Sequence, residues 1–254
     1  MAAPNVDIVL VIDASRSMKP CFDQLRVHIQ EVIRPMQGTF SKLRFGLLAY
    51  SARAKDGRVA YRHYFLCGSG QSALKKLYER GPNDPDPRGD FFTDNPDTFK
   101  SVLGSVKPAG NEETLVALDT ALDFPFGPIH NTKRVVALFS DETIENGVEE
   151  GANNAKINAI INKIQARRIL LYGALPQSRG ADTLFEVDGS EFTPVDGGDG
   201  LAGVDFGQLL GQMGKSISVS SLQAVREPDF PRAIFGQDTW ISIDDKSWSS
   251  QDTS

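Results

Sequence analysis

Three oxygen-bearing residues stand at alternate positions where an apolar run ends: Asp13, Ser15 and Ser17, in the stretch VDIVLVIDASRSM over residues 6–18. A second pair, Ser140-Asp141, closes another apolar run, RVVALFS, over residues 134–140. Carboxylate and hydroxyl oxygens are hard donors, suited to Mg²⁺, Mn²⁺ or Ca²⁺ rather than to zinc or copper. Mg²⁺ takes octahedral oxygens at about 2.0–2.1 Å and keeps several waters, so a few short side chains on rigid strand ends can hold it. In this reading Ser15 and Ser17 bind the ion directly. Other chemistries compete for the same residues. A helix starting near Met18 could use an Asp or Ser here as its cap, but a cap gives Asp141 no role. A hydrolase nucleophile wants a Gly-x-Ser-x-Gly turn and a placed histidine. Neither is present, and His28, His63 and His130 form no site by spacing. An aspartyl-phosphate enzyme of the dehalogenase type needs a second acid two residues after Asp13, where Ser15 stands.

These residues need elements to position them. The opening run reads as a strand buried on both faces. Phe22, Leu25, Ile29, Val32, Ile33 and Met36 recur at helical steps, and that helix should end near Pro35 or Gly38. Residues 43–51 and 58–66 read as strands, the second alternating and so placed at a sheet edge. Residues 81–89, GPNDPDPRG, are expected to be a loop. Helices are expected over 97–106 and 115–122, strands over 134–140 and 168–174, and a helix over 149–166 between them. A short strand at 192–195 and a helix at 206–217 follow. Strands alternating with helices imply a doubly wound α/β fold, a mostly parallel central sheet covered on both faces. Ligands bind such sheets beyond the carboxyl ends of strands, where both Asp13 and Asp141 fall.

The totals narrow the classes. With 254 residues, 40% of them apolar, a substantial core is available. A net charge of −6 and a pI near 5.2 speak against a nucleic-acid or anionic-membrane surface. No apolar run approaches the roughly 20 residues of a membrane span. The opening MAAPN has neither a basic nor an apolar segment, so no signal peptide is expected and a cytoplasmic protein is the default. Cys21 and Cys67 make no disulfide framework.

Asp13-x-Ser15-x-Ser17 after the first strand, the loop near residue 112 and Ser140-Asp141 after a later strand together resemble the von Willebrand factor type A domain and its metal ion-dependent adhesion site. The resemblance covers about residues 5–218, with an enlarged, unmatched region at 67–92, and leaves 219–254 as a tail or docked extension. It implies the family's Rossmann-like sheet. It also implies that Asp13 and Asp141 act mostly through water and by orienting the serines. Where the family has Gly-Gly-Thr, this chain has Gly110-Asn111 and then Glu112, with Thr114 the alternative if the loop is two residues longer. An acid at this place is a feature of some bacterial members and points to the intracellular bacterial branch. Glu112 would set three negative charges against a divalent cation, holding the metal more firmly and attracting an acidic partner less. The resemblance implies a non-catalytic protein–protein interaction module, an adaptor in a stress-response or defence system, whose partner is another protein rather than nucleic acid or membrane. The alternative is a metal-dependent hydrolase or phosphotransferase using the same cation.

Overall fold

The computed structural model describes residues 3–55, 58–78, 86–111, 113–145 and 150–226. Its elements run in the order β1 (Asn5–Asp13), α1 (Lys19–Gln37), β2 (Lys42–Lys55), β3 (Arg58–Phe65), β4 (Gly68–Ser69), α2 (Gln71–Tyr78), α3 (Arg88–Phe91), α4 (Pro96–Ser105), α5 (Thr114–Leu122), β5 (Thr132–Phe139), α6 (Glu150–Arg167), β6 (Ile169–Leu175), α7 (Arg179–Phe185), β7 (Glu191–Pro194) and α8 (Phe206–Arg226). The chain divides into two units, Met1–Lys215 and Ser216–Ser254. All seven described strands lie in the first. Of the second, residues 216–226 are described and are helical.

The strands form one sheet in the order β4-β3-β2-β1-β5-β6-β7. β1 is central because its side chains are apolar on both faces: Val6 and Ile8–Ile12 are fully buried, which only a strand sandwiched between helix layers requires. It pairs in parallel with β2 on one side and β5 on the other, and β5–β6 and β6–β7 are parallel too. Among the described strands only β2–β3 and β3–β4 are antiparallel. The sheet is therefore mostly parallel and doubly wound, as the alternation of runs implied. One acid within β1 is neutralised locally. Asp7, 1% exposed, accepts two bonds from Arg44 at 2.7 and 2.6 Å and a third from the Gly127 N–H at 2.7 Å.

Several elements differ from the sequence reading. β2 runs on to Lys55 instead of ending near Ser51, because β3 folds back along it as an antiparallel hairpin. β3 lies one place in from the edge, covered only by the two residues of β4. The unmatched region holds α2 and α3. Arg88 and Gly89, expected to be loop, open α3, which carries Phe91 into a ring cluster with Phe65 and Phe124 at 5.6 and 5.3 Å. Burial of those rings outweighs the weak local propensity. The helix α7 was not foreseen; Ser178 caps it by accepting from the Ala181 N–H. In the same turn Glu145 accepts from the Gly180 N–H. α8 continues nine residues past the expected end at Ile217. Trp240 and Trp248, and residues 81–85 of the expected loop, lie outside the described residues. Cys21 and Cys67 are free thiols.

His63 on β3 gives this packing a pH dependence. It is 6% exposed, it lies between the rings of Tyr61 and Phe65 at 6.5 and 6.1 Å, and among the described residues its Nδ1 has no hydrogen-bond partner. Burial lowers its pKa to about 4, against about 6.5 for an unfolded histidine. The unfolded chain therefore takes up the proton first. The stability associated with neutral His63 is fully present above pH 6.5 and is lost as the pH falls from there towards 4. The shift corresponds to roughly 3 kcal/mol at most. Urea unfolding at pH 7.5 and 4.5 should show a decline of that order, and His63→Phe should remove most of it. An equal decline in wild type and variant would assign the effect to other groups.

Candidate metal centre

β1 ends at Asp13, and the turn that follows is pinned on both sides. The Ala14 N–H donates to the Tyr50 carbonyl of β2 at 2.6 Å, and the Ala14 carbonyl accepts from the Ala109 N–H at 2.7 Å. Asp13 is fully buried. Its Oδ1 accepts from the Ser15 N–H at 2.7 Å and its Oδ2 from the Ser140 hydroxyl at 3.0 Å. One carboxylate thus holds the serine turn to the end of β5. The Ser140 hydroxyl in turn accepts from the Glu142 N–H at 3.1 Å, fixing the turn that carries Asp141.

The side-chain oxygens meet above this frame. Ser15 Oγ and Ser17 Oγ are 3.1 Å apart, and the Ser17 hydroxyl donates to Asp141 Oδ1 at 3.1 Å. Asp141, also fully buried, accepts the Gly200 N–H on Oδ2 and the Gly198 N–H on its carbonyl, both at 2.8 Å. Adjacent oxygens around an octahedral Mg²⁺ stand about 3.0 Å apart when each bond is about 2.1 Å. The spacing of the two serine oxygens fits that requirement. Ser17 is partly exposed while Ser15 is 1% exposed, so the cluster opens on the Ser17 side. Cys21 lies buried near the two acids. Burial first, and then the Asp13 and Asp141 carboxylates, push its thiol well above the ordinary range. Among the described residues no group of three His, Cys, Asp or Glu side chains could hold a metal. The candidate centre is of another kind, two acids combined with two hydroxyls.

Four residues singled out by sequence, Asp13, Ser15, Ser17 and Asp141, are therefore brought together across 124 positions of chain. Glu112 lies outside the described residues. Its neighbours are described. Asn111 pairs with Ala52 of β2 through two backbone bonds. Glu113 is 7% exposed; burial raises its pKa, opposed by Lys156, whose Nζ is 3.8 Å away. Thr114, the alternative to Glu112, opens α5, with its hydroxyl 2.8 Å from the Tyr50 hydroxyl.

The sequence reading did not foresee the work of the 196–200 loop, DGGDG. Its glycines present backbone N–H groups to Asp141 and approach the serine turn so closely that a Cβ on Gly200 would lie 2.1 Å from the Ser17 carbonyl oxygen. Gly198 and Gly200 both have positive φ, +78° and +68°, a conformation glycine adopts without steric cost. Three glycines in five residues were the available signal.

The sequence profile of the von Willebrand factor type A domain matches residues 7–82. No curated protein sequence matches the chain. Among solved structures it is similar to proximal thread matrix protein 1 from the mussel byssus with a zinc-occupied MIDAS motif, at 13% identity and a TM-score of 0.51, covering 85% of this chain and 46% of that one. A second crystal form of the byssus protein gives the same identity and TM-score, with 49% of that chain covered. The chain thus spans about half the length of the byssus protein. The SpRpn10 VWA domain is similar at 11% identity and a TM-score of 0.48, with 83% of this chain and 93% of that one covered. The profile match falls on β1 through α2, which carry Asp13, Ser15 and Ser17, and the doubly wound sheet brings Asp141 to them: over residues 7–82 the chain matches the von Willebrand factor type A domain, and its sheet has that fold.

Proposed function

We propose that this chain is a metal-dependent protein-binding module, an adaptor rather than a catalyst. The family is one of protein-interaction modules. The observation that carries the reading is the run of side-chain oxygens Ser15 Oγ, Ser17 Oγ and Asp141 Oδ1 at 3.1 Å steps beyond the carboxyl ends of the central strands. Ser15 and Ser17 would hold the ion. Asp13 orients them through the Ser15 N–H, and Asp141 through the Ser17 hydroxyl. A cation bound there supplies an open coordination position for a partner's carboxylate oxygen. The byssus protein's motif holds zinc; the oxygen donors here favour Mg²⁺ or Mn²⁺ by hardness, with Zn²⁺ the comparison ion. A non-catalytic role is supported by the commitments of the two acids. Asp13 is bonded to Ser15 and Ser140, and Asp141 to Ser17 and Gly200, whereas a general base must be able to reach a substrate proton. Among the described residues no helix is long and apolar enough to cross a membrane.

The test is capture of the protein on an immobilised peptide bearing a single Glu, in Mg²⁺ and in EDTA. Capture should require Mg²⁺, disappear in Ser17→Ala and strengthen in Glu112→Thr. Mg²⁺-dependent hydrolysis of a phosphoester panel, lost in Ser17→Ala, would instead favour the hydrolase alternative.

A further inference from the structure

β2 and β3 run past the end of the sheet. β2 pairs with β1 only as far as Asp13↔Tyr50, but its ladder with β3 continues to Lys55↔Arg58. Residues 51–55 and 58–62 thus form a two-stranded ribbon at the same end of the sheet as Asp13 and Asp141. Its inner edge is closed: the Ala52 N–H donates to the Asn111 carbonyl at 2.6 Å, and the Ala52 carbonyl accepts from the Asn111 N–H at 2.8 Å.

The outer edge is open. The His63 carbonyl accepts from the Gly70 N–H at 3.2 Å, so the His63 backbone points outward. By the alternation of antiparallel strands, so do the N–H and C=O of Tyr61. The partner of Tyr61 across the ladder is Ala52, whose own bonds go the other way, as a non-hydrogen-bonded pair requires. β4 reaches only Tyr64 and Phe65. Among the described residues nothing pairs with the outward groups of Tyr61, and Ala60, Tyr61 and Arg62 are all exposed. Such an edge is a template for another strand.

Charge selects the strand. Residues 53–62 contain Arg53, Lys55, Arg58 and Arg62 against Asp56, a net charge of +3 in a chain of net −6, so the remainder carries −9. The Arg62 guanidinium lies 4.6 Å above the Tyr64 ring. We propose that the outer edge of β3 docks an extended acidic segment of a partner protein as an added strand, bonded to the Tyr61 backbone with its carboxylates beside Arg62. A nucleic acid would meet the same cations, but it cannot use the strand backbone, and the acidic remainder opposes it. This foothold is separate from the candidate metal centre and does not depend on it.

The probe is a fluorescein-labelled peptide, Glu-Val-Glu-Val-Glu-Val-Glu, titrated in EDTA by anisotropy. It should bind, slow hydrogen exchange at the Tyr61 amide, and bind at least tenfold more weakly to Arg62→Glu. Tyr61→Pro removes only an outward N–H, which an edge strand tolerates, and should weaken binding to a similar degree. N-methylating alternate amides of the peptide should do the same without altering the protein. Equal binding of the methylated peptide, of a Lys-Val counterpart or of a thymidine decanucleotide would overturn the proposal, as would no binding at all. So would a dimer that Tyr61→Pro converts to monomer, since a second copy would then fill the edge. Because the titration is run in chelator, its failure counts against the strand edge alone and leaves the metal reading standing.

Discussion

Millimolar Mg²⁺ should raise the melting temperature of the wild-type chain and leave that of Asp13→Asn unchanged. A ligand that binds only the folded state at a hundred times its dissociation constant contributes about 2.7 kcal/mol. For a unit of this size that corresponds to roughly 5–10 °C. The asparagine keeps the shape of the frame. Its carbonyl can accept the Ser15 N–H and its amide can donate to the Ser140 oxygen, the two positions the carboxylate now serves. What it removes is charge. Asp13 and Asp141 are both fully buried, and buried carboxylates cost stability unless paired or bound to a metal. Asp13→Asn should therefore be at least as stable as wild type without metal and clearly less stable with it. Ser15→Ala/Ser17→Ala should lose the Mg²⁺ response as well, without the gain in the metal-free state. A variant that responds to Mg²⁺ as wild type does would show that the ion binds elsewhere.

The parts legible in the sequence were those in which side-chain type and spacing carry the information. Strands buried on both faces appear as unbroken apolar runs, so β1 and β5 could be found, and with them the acids at their carboxyl ends. Serines two and four residues past Asp13 were legible for the same reason, since a turn of fixed length must bring them to one place. The contribution of Gly198 and Gly200 was not, because it is made by backbone N–H groups 57 and 59 residues beyond Asp141 in the chain. Nor was the length of β2. Past Ser51 it alternates small residues with Arg53 and Lys55, a pattern that fits a solvated ribbon as well as a loop. α3 follows three prolines and is a single turn, held by the burial of Phe91 rather than by its own propensity.

Gly200→Ala should cost far more than Gly198→Ala, although both glycines have positive φ and lie two residues apart in one loop. Alanine in the left-handed region costs about 1–2 kcal/mol at either position. At Gly198 nothing lies within 4 Å of an added Cβ, so that cost is the whole effect. At Gly200 the Cβ would lie 2.1 Å from the Ser17 carbonyl oxygen and 2.9 Å from both the Ser17 carbonyl carbon and Pro20 Cδ. These are backbone and ring atoms and cannot rotate away, so the loop or the serine turn must move. Either movement strains the Gly200 N–H bond to Asp141 and the Ser17 bond on the other oxygen of that carboxylate. An overpacked site of this kind typically costs a further 1–3 kcal/mol. Urea unfolding should therefore show a loss of about 1–2 kcal/mol for Gly198→Ala and about 2–5 kcal/mol for Gly200→Ala. Titration should show Mg²⁺ affinity falling in Gly200→Ala and nearly kept in Gly198→Ala, because only the first disturbs the oxygens that would hold the ion. Equal losses in the two variants would mean that the loop lies further from the serine turn than the structure places it, and that Asp141 is oriented by Ser17 alone.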